Sequence, residues 1–555
     1  MSAPAAAIPA GARRTAPGGR DVLWLIALWT VCTAYNLFKP FHIDDGAHLL
    51  IARWIEGHPL HPMSGILNWS GVDEPIWRTN QPHLYFYLLA AWGRIAGFSE
   101  PAMHALQSLA TLAAIFLFHR LARFVIGAQA LWATALLALG PAFLVEQNLM
   151  VDVPLLATWL TFFNLIVCEV DSPHQTRRYA LAALALSAAV MIKYSSLALF
   201  PILVLSLILE RRKGQAWTAL IPILALIAWS AFNVFDYGHV HILARQDAVA
   251  RSRFRIPLLA FGWVMGLGAL TPLGLMAAGQ TRALSRISWA LYLGAALTFA
   301  ALAIGVFSGR LPERLSDKAL WALFVVNGAA TALALVPQAW ALARIRLWRL
   351  EAMRDVSTET YLFLWILGTT AFYCLFTPFL AARHVLLIMP PVILLLAKSW
   401  GSSLSGAAKV FGLAFAVILS AGLALSDWRF ADFNRSEAAL LGRTLPRAGT
   451  IWAGGHWGWQ WYADNQGFRE VDLKASPMQP GDLWVVARDA GPGDLRRPVK
   501  LQLLKTDTED LPLLSFVCSG RPSRLYLFTP WEGPWSFSRD CVEHIDVYRV
   551  TAPSP

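Results

Sequence analysis

Four polar clusters interrupt an otherwise apolar chain, and theirs are the side chains whose types and spacing could do chemistry. The first is Asp44 and Asp45, with His48 one helical turn beyond Asp44 if a helix covers Gly46 to Glu56. A carboxylate here could act as a general base toward a hydroxyl, or hold a metal or an amine. Asp45 could equally cap the helix, because aspartate accepts from the unpaired N–H groups of a first turn. The second cluster is Glu146 and Asp152 in EQNLMVDVPLL, where Pro154 suits the opening turn of a helix and gives Asp152 a capping alternative too. The third is Lys193-Tyr194 in MIKYSSLALF, a lysine that could face a ligand or snorkel to a lipid surface. The fourth is the stretch DYGHVHILARQDAVARSRFR, with His239, His241, Arg245, Arg251, Arg253 and Arg255. Two histidines at i, i+2 share one face of a strand and could bind one metal ion, though no third ligand is specified. Arg78 and the pair Arg383-His384 add further cations, and the planar guanidinium fork matches a phosphate group.

The elements that must position these groups are membrane helices. The chain has 555 residues, 56% of them hydrophobic and only 15% charged, with a mean hydropathy of +0.49. That excludes an ordinary soluble protein, which carries nearer a quarter charged residues. Apolar runs long enough to span a bilayer recur from Val22 almost to Leu425. The net charge of +11 is not a nucleic-acid signal, because Lys and Arg fall in short loops beside apolar runs. The 25 tryptophans fit a chain with many membrane–water interfaces.

Charge placement gives an orientation. Residues 1–20 read as a disordered cytoplasmic tail, and Val22 to Phe38 as an uncleaved first span. Basic loops expected inside hold Arg120 and Arg123, Arg177 and Arg178, Arg211 to Lys213, Arg282 and Arg286, Arg344 to Arg354, and Lys398 with Lys409. Loops expected outside are 39–83, Glu146 to Asp152, the turn at Lys193, Asp236 to Arg255, Ser308 to Lys318 and Phe379 to His384. Only the basic Arg245 to Arg255 runs against the positive-inside trend. The threading yields about 13 spans and an outside C-terminus. All four clusters then emerge on one face. A transporter would place such groups near mid-bilayer, and a non-catalytic scaffold would leave Asp44 and Asp152 far apart.

Residues 21–426 therefore read as an all-α polytopic membrane module. Residues 427–555 read as a soluble α/β domain with strand-like runs at Leu483 to Val486, Leu525 to Phe528 and His544 to Val550. In IWAGGHWGWQWYADNQG the residues Trp457, Trp459 and Trp461 alternate as on one face of a strand. Cys32, Cys168 and Cys374 sit in apolar runs as small hydrophobes, whereas Cys518 and Cys541 could pair in an oxidising compartment.

Taken in order, the acidic pair after the first span, NQPHLYFYLL, LMVDVPLL, IKYSSLALF, the YGHVH loop and ARHVLLIMPP resemble the GT-C membrane glycosyltransferases. The similarity is greatest to the dolichyl-phosphate-mannose-protein mannosyltransferase-like group, which includes the bacterial aminoarabinose transferases. That resemblance implies an inner-membrane enzyme of a Gram-negative-like bacterium. It would transfer a sugar, with inversion and at the periplasmic face, from a polyprenyl-phosphate donor to a glycan, lipid or protein acceptor. It further implies that Asp44 is the first-loop acid, acting as base on the acceptor or orienting it, that Asp152 is the second acidic position, and that Arg383 serves the phosphate; Asp45, beside Asp44, joins them as a candidate catalytic acid. His48, Arg78, Lys193, Tyr194, His239, His241 and Arg245 complete the candidate substrate-binding set, and a divalent metal ion is left open. Two motifs depart from the aminoarabinose-transferase branch. Asn80-Gln81-Pro82 stands where Glu-Lys-Pro is usual, and Ala47-His48 where Arg-Tyr is usual. Phosphate contacts would then come from Lys193, Arg245 or Arg383.

Overall fold

The computed structural model describes residues 18–79, 81–244, 255–345, 350–377, 379–495, 499–510, 525–539 and 542–552. Among the described residues, six helices are long and apolar enough to cross a membrane: Glu100–Ala138, Lys213–Tyr237, Ser288–Phe307, Glu313–Ala343, Ser357–Phe376 and Gly406–Thr444. The pair Arg255–Leu270 and Leu273–Gly279, bent by 74°, makes a seventh if read as one span. Shorter apolar helices, among them Leu84–Ala96, Asp152–Cys168 and Met389–Trp400, pack between them. Ser288–Phe307 leaves Leu293, Leu297 and Ile304 about 60% exposed, as expected of a helix whose solvent is lipid.

The bend has an identifiable cause. Pro272 cannot donate a backbone hydrogen bond, so carbonyls in the preceding turn lose their partners. Asn327 of the neighbouring helix replaces them. Its Nδ2 donates to the carbonyls of Gly268 (2.7 Å) and Thr271 (2.5 Å), and its Oδ1 accepts from Leu275 N (2.9 Å). In a bilayer no water would do this, so one side chain keeps a broken helix viable.

The loops read as inside pair among themselves: Arg123 with Asp21 at 3.1 Å, Arg178 with Glu210 at 2.7 Å, and Lys398 with Glu359. Four of the loops read as outside, 39–83, Glu146 to Asp152, Ser308 to Lys318 and Phe379 to His384, contact the C-terminal region in their described residues. In the first of them a short hairpin, β1 (Ile66–Asn68) and β2 (Asp73–Pro75), follows the helix Asp45–Gly57. That helix confirms the one expected from Gly46 to Glu56.

The C-terminal sheet contains β3 (Ile451–Gly454), β4 (Arg469–Glu470), β5 (Leu483–Ala487), β6 (Lys500–Asp510) and β7 (Val542–Ala552), in the order β4-β3-β5-β7-β6. β3 runs parallel to β4 and β5, while β7 is antiparallel to β5 and β6, with Val485 opposite Val547. Two of the three anticipated strand runs lie in this sheet. The third, Leu525 to Phe528, instead makes an isolated bridge from Phe528 to Leu380 in the membrane module. Helix Gly406–Thr444 also continues past the boundary expected at 427, so regular sheet begins only at Ile451.

Trp457, Trp459 and Trp461 do not lie on a strand: they belong to the helix Trp457–Asn465. This helix is sandwiched between the sheet and the first loop, and Trp459 and Trp461 are both buried. A helix covered on several sides shows little 3.6-residue periodicity, and three alternating aromatics mimic a strand. Its docking depends on two glycines. A Cβ on Gly46 would lie 2.3 Å from the Trp457 carbonyl oxygen, and one on Gly458 would lie 2.1 Å from that of Phe41. Tyr462 Oη accepts from Phe41 N (2.8 Å) and donates to Glu100 (2.9 Å), and Gln460 donates to Asn68 O (2.8 Å). Cys32 and Cys374 are buried thiols as expected, and Cys168 is half-buried. Cys518 and Cys541 lie outside the described residues.

Candidate active site

The first loop reaches the site through a strained turn. Ile43 takes φ of +50°, a left-handed conformation unfavourable for a β-branched residue, and such strain persists only where neighbours enforce it. The enforcement comes from Asp45, which is fully buried. Its Oδ2 accepts from His42 N at 2.9 Å and its Oδ1 from Leu149 N at 2.7 Å. No side-chain cap bond forms at this helix start, so Asp45 ties two loops together instead of capping. Burial pushes its carboxyl up to about 7, against the opposing pull of those two N–H groups.

Asp44 is thereby turned toward the opening, with its side chain 24% exposed. Its Oδ2 lies 3.3 Å from Arg383 Nη2, and Arg383 Nε lies 3.8 Å from Asp152 Oδ2. Lys193 Nζ donates to the other Asp152 oxygen at 2.8 Å. Four residues from four distant parts of the chain thus form one row: Asp44, Arg383, Asp152, Lys193. The two acids that a non-catalytic scaffold would leave apart share one arginine. Arg383 Nη1 has no hydrogen-bond partner among the described residues. The Phe379 ring lies 5.7 Å from its guanidinium carbon, and Tyr373 lies 5.6 Å from Lys193 Nζ.

Glu146 is fully buried beside this row, with neither carboxylate oxygen hydrogen-bonded among the described residues. Burial pushes its carboxyl well above the usual carboxylate range, opposed by Arg383. Burial disfavours the charged form of Arg383, but Asp44 and Asp152 outweigh it and hold the guanidinium charged. Lys193 is kept charged against burial in the same way by Asp152.

His48 stands next to the row. Its Nδ1 is 2.6 Å from the Leu149 carbonyl, which can only accept, so Nδ1 carries the proton and Nε2 is an acceptor. Phe86 separates it from buried His83, with ring centroids at 4.9 Å and 5.0 Å respectively. Tyr194 accepts from Trp229 Nε1 (3.1 Å) and lies 2.9 Å from His241 Nδ1, while His241 Nε2 is 3.0 Å from the Trp77 carbonyl. Both His241 nitrogens are therefore committed, which removes the reading of a metal shared with His239. His239 is exposed, its ring 5.3 Å from Trp77, and Arg78 is exposed with its guanidinium 5.2 Å from the same ring. Neither is brought into the row. Arg245, Arg251, Arg253 and Asn80 lie outside the described residues. Among the described residues no group of three or more His, Cys, Asp or Glu is arranged to hold a metal ion.

Sequence reasoning missed a second buried network behind the row. Lys39 pairs with Asp427 and donates to Asn148 Oδ1 at 2.7 Å, His42 Nε2 is 3.2 Å from Asp427, and Tyr526 Oη donates to Asp427 at 2.9 Å. The available signal was Lys39 and Asp427 at the edges of apolar runs, where a charge needs a partner.

Residues 80–235 match the family model described as dolichyl-phosphate-mannose-protein mannosyltransferase. The match covers less than a third of the chain. It contains Glu146, Asp152, Lys193 and Tyr194, while Asp44 and Arg383 flank it on either side. The family's match agrees with the resemblance read from the motifs. No curated protein matches the chain. Similar solved structures include ArnT from Cupriavidus metallidurans bound to undecaprenyl phosphate, at 13% identity over 88% of this chain and 97% of that one, with a TM-score of 0.40. An oligosaccharyltransferase from Archaeoglobus fulgidus in complex with Zn and sulfate is 13% identical over 84% and 68% of the respective chains, with a TM-score of 0.46. The arabinosyltransferase EmbB from Mycobacterium smegmatis is 13% identical over 92% and 48%, with a TM-score of 0.32.

Proposed function

We propose that the chain is a multi-pass membrane glycosyltransferase that moves a sugar from a polyprenyl-phosphate donor to an acceptor hydroxyl or phosphate. The observation that carries this reading is the row in which partly exposed Asp44 and buried Asp152 share Arg383, with Lys193 closing the far end. In the proposed reaction the acceptor oxygen attacks the anomeric carbon from the face opposite the phosphate. The proton of a hydroxyl acceptor passes to Asp44, the bond from anomeric carbon to phosphate oxygen breaks, and the polyprenyl phosphate leaves with the bonding pair. Configuration inverts. Arg383, whose Nη1 has no partner among the described residues, and Lys193 would meet the charge that grows on the leaving phosphate, the kind of electrostatic stabilisation that usually dominates such catalysis. A phosphate at Arg383 would also compete with Asp44 for the guanidinium and release the carboxylate as a base.

The same reading puts the row and the C-terminal sheet on the periplasmic face of a bacterial inner membrane, with about 13 spans. Support comes from the charge pattern of the loops and from the pairing of the basic loops among themselves. Mass spectrometry of envelope glycans tests it. A deletion strain should lose one sugar substituent, the wild-type chain should restore it, and Asp44→Asn should not. Identical glycans in the deletion strain and its parent would overturn the proposal.

A further inference from the structure

Residues 525–539 leave the C-terminal sheet and cross the membrane module beside the row. Phe528 N donates to Leu380 O at 2.9 Å and Ala382 N donates to Leu525 O at 2.8 Å, so this strap pairs with the segment that leads into Arg383. Further along, Pro530 O accepts from Trp321 Nε1 (3.0 Å), Trp535 Nε1 donates to Ala269 O (2.9 Å), and Ser538 and Arg539 hold Glu313 (3.0 and 2.8 Å). The strap therefore clips the bent pair, the helix Glu313–Ala343 and the Arg383 turn together.

Tyr526 occupies its inner end and is buried. Its hydroxyl donates to Asp427 at 2.9 Å and accepts from Asn148 Nδ2 at 2.7 Å. Asn148 is followed by Leu149, whose N–H serves Asp45 and whose carbonyl serves His48, and then by Asp152. One phenol thus joins the Asn148 turn, which anchors Asp45 and leads into Asp152, to the strap, which holds the arginine between Asp44 and Asp152. Exposed Leu527 and Trp531 lie on the same strap, as befits a segment at a lipid–water interface.

We propose that the strap 525–539 is a positioning element of the transfer site and that Tyr526 is the residue through which it acts. The strap contacts stand by themselves; what they position rests on the glycosyltransferase reading. The C-terminal region is then a working part of the site and not an appended domain.

The test uses the full chain in lipid nanodiscs, with amide hydrogen exchange and undecaprenyl phosphate as the probe. Tyr526→Phe keeps the ring and removes the two hydroxyl bonds. Exchange at amides 149 and 382 should rise about 10-fold, with probe affinity falling by a similar factor and the chain still folded at a modestly lower melting temperature, since two buried hydrogen bonds are lost. A rise confined to 525–539, or no rise, overturns the proposal. If Tyr526→Phe does not fold, Trp535→Phe, which removes the hydrogen bond to Ala269 and keeps an aromatic ring facing Phe324, should raise exchange at amide 382 about 3-fold on the same logic; no rise in that variant overturns the proposal equally. A wild-type chain that fails to bind the probe, while Tyr526→Phe still raises exchange at 149 and 382, overturns the donor reading and leaves the strap in place.

Discussion

Replacing Arg383 with Gln tests the electrostatics of the row. Arg383 sits 3.3 Å from Asp44 and 3.8 Å from Asp152, and both contacts vanish together. At an effective dielectric of about 20 a unit pair at the shorter distance attracts by about 5 kcal/mol, a ceiling because Asp44 is partly solvated. Asp152 keeps Lys193, so it is not left as an uncompensated charge. The net destabilisation should therefore fall at the lower end of the range for breaking buried pairs, about 3 kcal/mol. Catalysis should suffer more than folding. Removing a preorganised donor from a developing anion typically costs about 100- to 1,000-fold in rate. Arg383→Lys should recover little, because a lysine cannot reach Asp44, Asp152 and a phosphate from one planar fork. The assay is sugar transfer by the purified chain in nanodiscs, paired with thermal unfolding. Transfer by Arg383→Gln above about a tenth of wild type would refute the reasoning, since the row would then contribute less than about 1.4 kcal/mol to the barrier.

Asp45→Asn leaves one of the two backbone N–H groups at His42 and Leu149 facing an amide that cannot accept at both ends, and should lower unfolding stability by about 1–3 kcal/mol in chemical denaturation. Lys39→Met strands Asp427 in the interior and should cost about 3–5 kcal/mol, whereas Lys39→Met with Asp427→Leu should recover most of it. That recovery should show as a restored melting temperature. Burial lowers the imidazole of His456 to about 4 from its ordinary 6.5. The unfolded chain then takes up a proton that the folded one refuses, so this contribution is complete above pH 6.5 and lost as pH falls toward 4. The loss amounts to about 3 kcal/mol, and His456→Asn should flatten the acid limb of the stability profile by that amount.

The membrane class, the basic loops and the polar clusters were legible because a charge in an apolar run is costly and must have a use. Asp44, Asp152, Lys193 and Arg383 were all visible on that ground, but nothing in the sequence said that they share one row. Convergence is a property of helix packing across hundreds of residues. Asp45 looked catalytic beside Asp44, and only the two backbone N–H groups pointing at it reveal a joint between loops. His239 and His241 look paired at i, i+2, yet the bond from Tyr194 and the Trp77 carbonyl commit His241 elsewhere. Tyr526 gave no signal, because a tyrosine in a strand-like run is unremarkable until its hydroxyl is seen between Asp427 and Asn148.

The proposed transfer needs Asp44 as its base. The most direct test is the transfer rate of Asp44→Asn in nanodiscs, measured with undecaprenyl-phosphate binding and thermal unfolding on the same sample. Transfer should fall about 100- to 10,000-fold, the range of a lost general base, with phosphate binding retained and the fold intact. Wild-type transfer by a folded Asp44→Asn chain would contradict it.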